Sequence, residues 1–386
     1  MKLIKRNLIK NEYSTLVSKK KGFEPIIYEL KTDKNNLNNI TFSNKLKVLE
    51  IYKYNINYDI QNNNCVILKN FNINNVNNYE KILKILDIKL SNEYRPGIAP
   101  RISKSKSGFS FSSTEASKYL PITPHNEMAY SNYRPSIISF WCKNKPLYFG
   151  ETPLFDCAKI YNDLSIYSPK LLQKINYKSN FNRVFPNYKT KWDYNKSNSC
   201  IGGSNWKNAF NTSNKLLINS FCNKIGMRYI WNLDNTLNTS ISVNSVLLNN
   251  NKKCLQLQTP LLGYLIYDYM LDKFPNRFNN INYKNIIKQG NYSPLIKHTF
   301  ISEDNKHNKL NNKEIYKLMD IIYNNCTIPK WETDDIWLIN NISCAHSRMN
   351  VSTNNTYREI ITSLGNFIDI RKYNKNPKIK IIRSFL

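Results

Sequence analysis

Apolar residues in this chain come in short runs, separated by stretches rich in Asn, Lys and Ser. Residues 64–71, NCVILKNF, form an unbroken apolar run bounded by Asn, the pattern of a buried strand. After an Asn-rich turn, Tyr79, Ile82, Leu83 and Leu86 recur at helical spacing and predict a short amphipathic helix. Before them, residues 1–60 form a basic, polar lead-in with short apolar pieces such as KVLEIY, expected to pack on or flank the core. From FSFSSTEASKYL through SIISFWC, turn chemistry alternates with β-branched and aromatic runs, which predicts strands joined by ordered loops. In SIYSPKLLQKI, Ser168 is placed to cap a helix and Pro169 to open it. Residues 180–260 mix loop with short helical pieces (NWKNAF, KLLINSFCNKIGM) and predict a lid insertion over a pocket. Ile315, Leu318, Met319 and Ile322 mark another helix, and DIWLIN and REIITSLGNFI two late strands with His346 in the loop between them.

Strands on both sides of the middle of the chain, with helices early, central and late, fit a mainly β fold, a sandwich or barrel decorated by helices. Regular strand-helix alternation is missing, as is a Gly-rich phosphate loop, so a doubly wound α/β sheet fits less well. One domain over residues 61–370 is expected, followed by a basic tail at 371–386; no internal repeat is seen.

Composition narrows the class. The chain has 386 residues, 41% hydrophobic and 13% aromatic, well above a disordered composition. No window reaches the roughly eighteen apolar residues of a membrane span, and the start lacks a signal-peptide core, so a cytoplasmic protein is expected. Eight scattered cysteines include no Cys-x-x-Cys pair, which reads as reduced thiols. The formal charge of +29, from 56 basic against 27 acidic residues, points nominally to nucleic acid or an anionic surface. However, the lysines are spread rather than clustered, and the excess of Asn, Lys, Ile and Tyr matches A/T-rich coding, so a nucleic-acid partner is not expected.

The candidate chemistry begins at TPHNEMAY. Residues i and i+2 of a strand share a face, so His125 and Glu127 can offer a nitrogen and a carboxylate oxygen to one ion. A third ligand is needed, and His346, 221 positions after His125, lies between apolar strands. Two His and one carboxylate leave open positions on a metal, the pattern of non-haem Fe(II) oxygenases. Thr152, in FGETPLFD, and Arg358, in TYREII, add a hydroxyl and a guanidinium suited to the far carboxylate of a 2-oxoacid.

These residues resemble the taurine dioxygenase-like Fe(II)/2-oxoglutarate oxygenases, in particular the branch with clavaminate synthase and asparagine oxygenase. The resemblance runs from about residue 93 to 366 and rests on STEASKYLPITPHNEMAY, RPSIISFWCKNKPLYFGETPLFD, WKNAF with GMRYIWNLDNTLNT, and DDIWLINNISCAHSRMN with YREI. It implies a double-stranded β-helix, a jelly-roll relative with a helical or loop insertion. It also implies His125, Glu127 and His346 as catalytic iron ligands, with Thr152 and Arg358 holding 2-oxoglutarate. The cofactors implied are Fe(II), 2-oxoglutarate as co-substrate, and O2. The reaction implied is hydroxylation of a small polar molecule, such as an amino acid free or on a carrier, with release of succinate and CO2. The chain departs from the family pattern at Phe149-Gly150, where Gly-Gly is expected, and at His346-Ser347-Arg348, Asp334-Asp335 and Asn340-Asn341.

Around this core, Arg348, Asn126, Tyr130, Ser113 and Thr114 are candidate substrate contacts, each with a local structural role as the competing reading. His298 and His307 read as exposed or structural, and Trp206, Phe210 and Trp231 as lid core. Two other functions compete. A non-catalytic relative binding nucleic acid or an anionic surface rests on basicity alone. A zinc hydrolase using the same His, Glu and His has no need of Thr152 and Arg358.

Overall fold

The computed structural model describes residues 1–14, 16, 22–32, 40–97, 101–113, 121–188, 204–258, 265–278, 295–351 and 358–373. With strands numbered β1 to β19 along the chain, the largest sheet has the order β1 (Lys2–Asn7), β2 (Ile26–Lys31), β3 (Cys65–Lys69), β17 (Ile336–Asn340), β7 (Tyr133–Asn144), β19 (Glu359–Asp369), β4 (Leu90–Ser91), and β5 (Ser110–Ser112) also pairs with β19. All of its pairs are antiparallel except β2 with β3. A second sheet, β16 (Cys326–Thr327), β8 (Leu154–Asp156), β18 (Cys344–Arg348), β6 (Ile122–His125), is antiparallel throughout.

Strict alternation explains why these two sheets face each other. In β3, Val66 and Leu68 pack with Leu49, Ile56 and Ile60 of the helix Phe42–Asn62 and with Tyr79, Ile82 and Leu83 of the helix Val76–Ile85. The intervening Cys65 and Ile67 join Ile138, Phe140, Trp337, Ile339 and Leu154 between the sheets. Phe155 and Ala345 of the second sheet turn the other way, onto Ile160, Leu164, Leu318, Met319 and Ile322 of the helices Cys157–Tyr167 and Asn312–Asn324. The result is two sheets with helices outside each, the mainly β, double-stranded β-helix architecture expected from the sequence. Burying a Leu, Ile or Phe in such a core contributes about 1.5–3 kcal/mol per side chain.

Several elements differ from the sequence expectations, each for a physical reason. The lead-in is part of the main sheet: β1 and β2 form its edge, and KVLEIY lies in the helix Phe42–Asn62, whose Thr41 side chain accepts from Asn44 N–H. Its apolar positions are diluted by Asn and Lys, which hides the helical period. The lid is a sheet rather than loop and helix alone: β10 (Arg228–Trp231), β11 (Leu237–Asn244), β9 (Lys178–Phe185), β14 (Ile296–Ile301), β15 (His307–Asn308). In β11, Leu237, Thr239, Ile241 and Val243 are buried, and Asn and Ser fill the outward positions where a loop reading takes hold. β12 (Val246–Asn249) and β13 (Lys252–Leu255) form a separate hairpin. Helices do form at Trp206–Phe210, Lys215–Ile225 and Pro169–Ile175, but the Ser168 hydroxyl donates to the Tyr167 carbonyl and makes no capping bond. The tail from 374 onward and lid residues 189–203 and 259–260 lie outside the described residues. Among the described residues, no helix is long and apolar enough to cross a membrane.

Candidate metal centre

His125 ends β6 and His346 sits inside β18, and the two are register partners across the second sheet. Pairing therefore sets their rings side by side, centroids 4.4 Å apart. His346 is a strand residue rather than the loop residue expected, because five residues, CAHSR, are too few to show a period. Glu127 arrives differently from the strand alternation first inferred: it stands in the turn that follows β6. Its backbone is clamped by Asn341, whose Oδ1 accepts from Glu127 N–H at 2.7 Å and whose Nδ2 donates to the Glu127 carbonyl at 3.0 Å and the Pro135 carbonyl at 2.7 Å.

The three side chains converge. Glu127 Oε2 lies 4.0 Å from His125 Nε2 and 3.9 Å from His346 Nε2, and ligand atoms of all three fall within 4.8 Å of one another. His125 Nδ1 is 2.8 Å from the Thr123 carbonyl, which fixes its proton there and leaves the Nε2 lone pair facing Glu127. The Phe140 ring meets His346 edge-on at 5.1 Å and holds it in place. Burial pushes both imidazoles below their ordinary pKa, His346 strongly, with His125 and Arg101 adding to the effect on His346. Both are thus held neutral, as a metal ligand requires. Two neutral imidazole nitrogens and one buried carboxylate oxygen fit a divalent transition metal with open positions.

The second part of the site lies along the same strand. Ser347 N–H donates to the Pro153 carbonyl and Met349 N–H to the Glu151 carbonyl, so Thr152 stands opposite Arg348, two residues from His346, or about 7 Å at strand rise. Thr152 Oγ1 accepts from Trp331 Nε1 at 3.1 Å and from Arg358 Nη2 at 3.2 Å, and Arg358 Nε donates to the Gly150 carbonyl at 2.9 Å. Burial draws the Arg358 pKa down to about 10, with Cys142 and Glu151 opposing. Gly150 has φ +71°, and a Cβ there would meet Arg358 Cδ at 2.9 Å. Phe149, in place of a glycine, holds φ 67° with the Arg277 guanidinium 3.6 Å from its ring centroid, and Arg277 in turn pairs with Glu151.

The remaining candidates separate. Asn126 is no substrate contact: its Nδ2 donates to the Asn341 and Cys344 carbonyls and its Oδ1 accepts from Leu257 N–H, so it braces backbone. Tyr130 is buried with a hydroxyl that finds no partner among the described residues, and its ring meets Phe181 of the lid sheet at 6.2 Å. Arg348 is buried at the end of β18. Ser113 is half-buried beside β19, its N–H donating to the Ile360 carbonyl, and Thr114 lies outside the described residues. Both other histidines are as expected: His307 is exposed, and His298 is structural, packed between Phe181 and Phe300 with Nε2 enclosed. Trp206, Phe210 and Trp231 pack as lid core.

Sequence reasoning missed Arg101. Arg101 Nη2 lies 2.8 Å from Glu127 Oε2, the oxygen that faces both imidazoles. Nothing in IAPRISKS marks that arginine; only the approach of its loop to Glu127 does.

Residues 52–217 match the taurine catabolism dioxygenase TauD, TfdA family. That stretch is similar to this family. It contains His125, Glu127 and Thr152, while His346 and Arg358 come from beyond it and meet them only through the strand pairing described above. A clavaminate synthase-like protein of Arabidopsis thaliana is 22% identical over 188 residues, 49% of this chain and 54% of that protein. The match thus spans about half the length of that relative. Among solved structures, PvcB of Pseudomonas aeruginosa is similar with 8% identity, 94% of this chain and 91% of that one covered, and a TM-score of 0.46. A taurine dioxygenase of Burkholderia xenovorans is similar with 9% identity, coverage of 88% and 86%, and a TM-score of 0.43.

Proposed function

We propose that this protein is an Fe(II)- and 2-oxoglutarate-dependent dioxygenase that hydroxylates a small polar substrate, such as an amino acid free or carrier-bound. The observation that carries this reading is the approach of two imidazole Nε2 atoms to one carboxylate oxygen, 4.0 and 3.9 Å away, with His346 on a strand that also borders the Thr152–Arg358 pair. A hydrolase built on zinc would have no use for that pair.

In this reading His125, Glu127 and His346 hold the iron on one side and leave its other side open. Arg358 and Thr152 supply donors for the far carboxylate of the keto acid, and the spacing of about two strand residues suits a five-carbon diacid reaching back to the metal. Bound iron supplies the centre at which dioxygen oxidises 2-oxoglutarate to succinate and CO2 while the second oxygen atom passes to the substrate. Phe140, whose ring meets His346, and Leu154, its register partner, back that imidazole with apolar groups.

The test uses purified protein with Fe(II), ascorbate and 2-oxoglutarate in a screen of small polar molecules, basic and amide amino acids first. Succinate is expected with the right substrate, and His125→Ala is expected to abolish both succinate formation and metal uptake. Succinate release that survives this substitution overturns the iron site.

A further inference from the structure

A carboxylate of the protein's own stands beside the Arg358 guanidinium. Arg358 is held by the Gly150 carbonyl, which accepts from Nε, and by the Thr152 hydroxyl, which accepts from Nη2, and Glu151 is the residue between those two. Its carboxylate acts on Arg358, opposing the burial that lowers the guanidinium's pKa. A partly buried carboxylate this near a guanidinium pairs with it unless another cation is held there first.

Arg277 is that cation. Its fork meets both carboxylate oxygens of Glu151, Nη1 donating to Oε1 at 3.0 Å and Nη2 to Oε2 at 2.5 Å, and Ser14 Oγ donates to Oε1 at 3.3 Å. The rest of Arg277 is used as well. Nε donates to Asn350 Oδ1 at 3.2 Å, Nη2 reaches the Asn350 carbonyl at 3.4 Å, and the guanidinium lies 3.6 Å from the Phe149 ring centroid. The same Asn350 carbonyl accepts from Gly150 N–H at 2.8 Å, so it ties Arg277 to the turn that holds Arg358. The side chains of Arg277 and Glu151 are 8% and 15% exposed, and a charge so enclosed is costly to leave without its partner.

The cation comes from a separate segment. Arg277 belongs to the short helix Pro275–Phe278, which follows the helix Leu265–Lys273. That pair is fixed on the helix Asn312–Asn324, outside the second sheet: the Tyr269 hydroxyl donates to Asp320 Oδ1 at 3.1 Å, and the Phe274 ring lies 6.0 Å from that of Tyr323.

We propose that Arg277 is a positioning residue for the co-substrate: by occupying Glu151 it keeps the Arg358 guanidinium open to the far carboxylate of 2-oxoglutarate. This rests on the dioxygenase reading. The two guanidiniums divide the work, Arg277 taking the protein's own carboxylate and Arg358 the ligand's. Without Arg277, Glu151 competes with the ligand from inside the site, at the effective concentration of a tethered group.

The test is calorimetric titration of N-oxalylglycine, an analogue of the keto acid, into the full protein loaded with Mn(II). Arg277→Gln is expected to weaken N-oxalylglycine by about tenfold or more with Mn(II) affinity unchanged. Glu151→Gln alone is expected to stay within about threefold of the wild type, and the double variant to recover most of the loss, because the competing carboxylate is gone. A merely structural clamp gives the opposite pattern: both single variants weaken binding and the double variant is no better. Where Arg277→Gln does not fold, Arg277→Lys, which keeps the charge and loses the fork, takes its place in the same cycle with a smaller loss. Unchanged N-oxalylglycine affinity in the Arg277 variant, or a loss that the double variant does not recover, overturns the role. Wild-type protein that takes up neither Mn(II) nor N-oxalylglycine sinks the dioxygenase reading and this role with it, whereas wild-type binding with a failed cycle sinks this role alone.

Discussion

Asn341 is the residue whose removal best tests how the metal centre is built. Its side chain makes three buried bonds, two to the backbone of Glu127 and one to the Pro135 carbonyl, so it ties the loop carrying one ligand to the turn before the strand carrying another. Asn341→Ala deletes all three and leaves a buried N–H and two carbonyls unpaired. At about 1 kcal/mol per bond the loss is about 3 kcal/mol, with the orphaned groups adding to it. For a chain of 386 residues, unfolding entropy of about 2 cal/mol/K per residue converts that into a midpoint lowered by ~4 °C. Because the bonds hold Glu127 rather than His125 or His346, Mn(II) affinity is expected to fall further than stability alone explains, by about tenfold or more, as for other residues that orient metal ligands. Thermal melting of the metal-free protein and Mn(II) titration by electron paramagnetic resonance separate the two effects. A variant that melts within a degree of the wild type and binds Mn(II) equally well refutes the clamp.

Two further changes probe other parts of the argument. Gly150→Ala places a methyl 2.9 Å from Arg358 Cδ and 3.2 Å from Val351 Cγ2 at φ +71°, a backbone penalty of about 1–2 kcal/mol. N-oxalylglycine affinity is expected to drop about tenfold while Mn(II) binding stays, and equal affinity in a calorimetric titration contradicts the role given to Arg358. Burial pushes Asp335 up to about 7 although Lys69 Nζ, 3.2 Å away, opposes it. The folded chain therefore holds this proton more tightly than the unfolded chain, so the contribution is full below the ordinary carboxylate range and is lost as pH rises through about 7. Urea midpoints at pH 5 and pH 8 are expected to differ less in Asp335→Asn than in the wild type, by up to about 2.5 kcal/mol in unfolding free energy; an unaltered pH dependence rules the residue out.

Legibility in the sequence tracked how strongly each pattern is forced by burial. The run CVILK, buried on both faces, and the helix with Ile315, Leu318, Met319 and Ile322 on one side could be read because every position answers to one partner surface. The lid strands could not, since their outward Asn and Ser residues carry turn chemistry as readily as sheet. Asn126 misled for a related reason: its place beside the ligands suggested substrate contact, while its bonds to Leu257, Asn341 and Cys344 are made by segments more than 100 residues away.

The chain by itself offered the residue types of the candidate centre, because imidazole, carboxylate, hydroxyl and guanidinium together suit the chemistry of a metal and a keto acid. It also specified the mainly β class, through runs of apolar residues too short for helices. The tertiary structure alone decided that a turn rather than strand alternation delivers Glu127, that Asn341 holds it there, and that Arg101 comes to its side. Those relations depend on contacts between segments distant along the chain, and periodicity, which records only the neighbours of each residue, carries no trace of them.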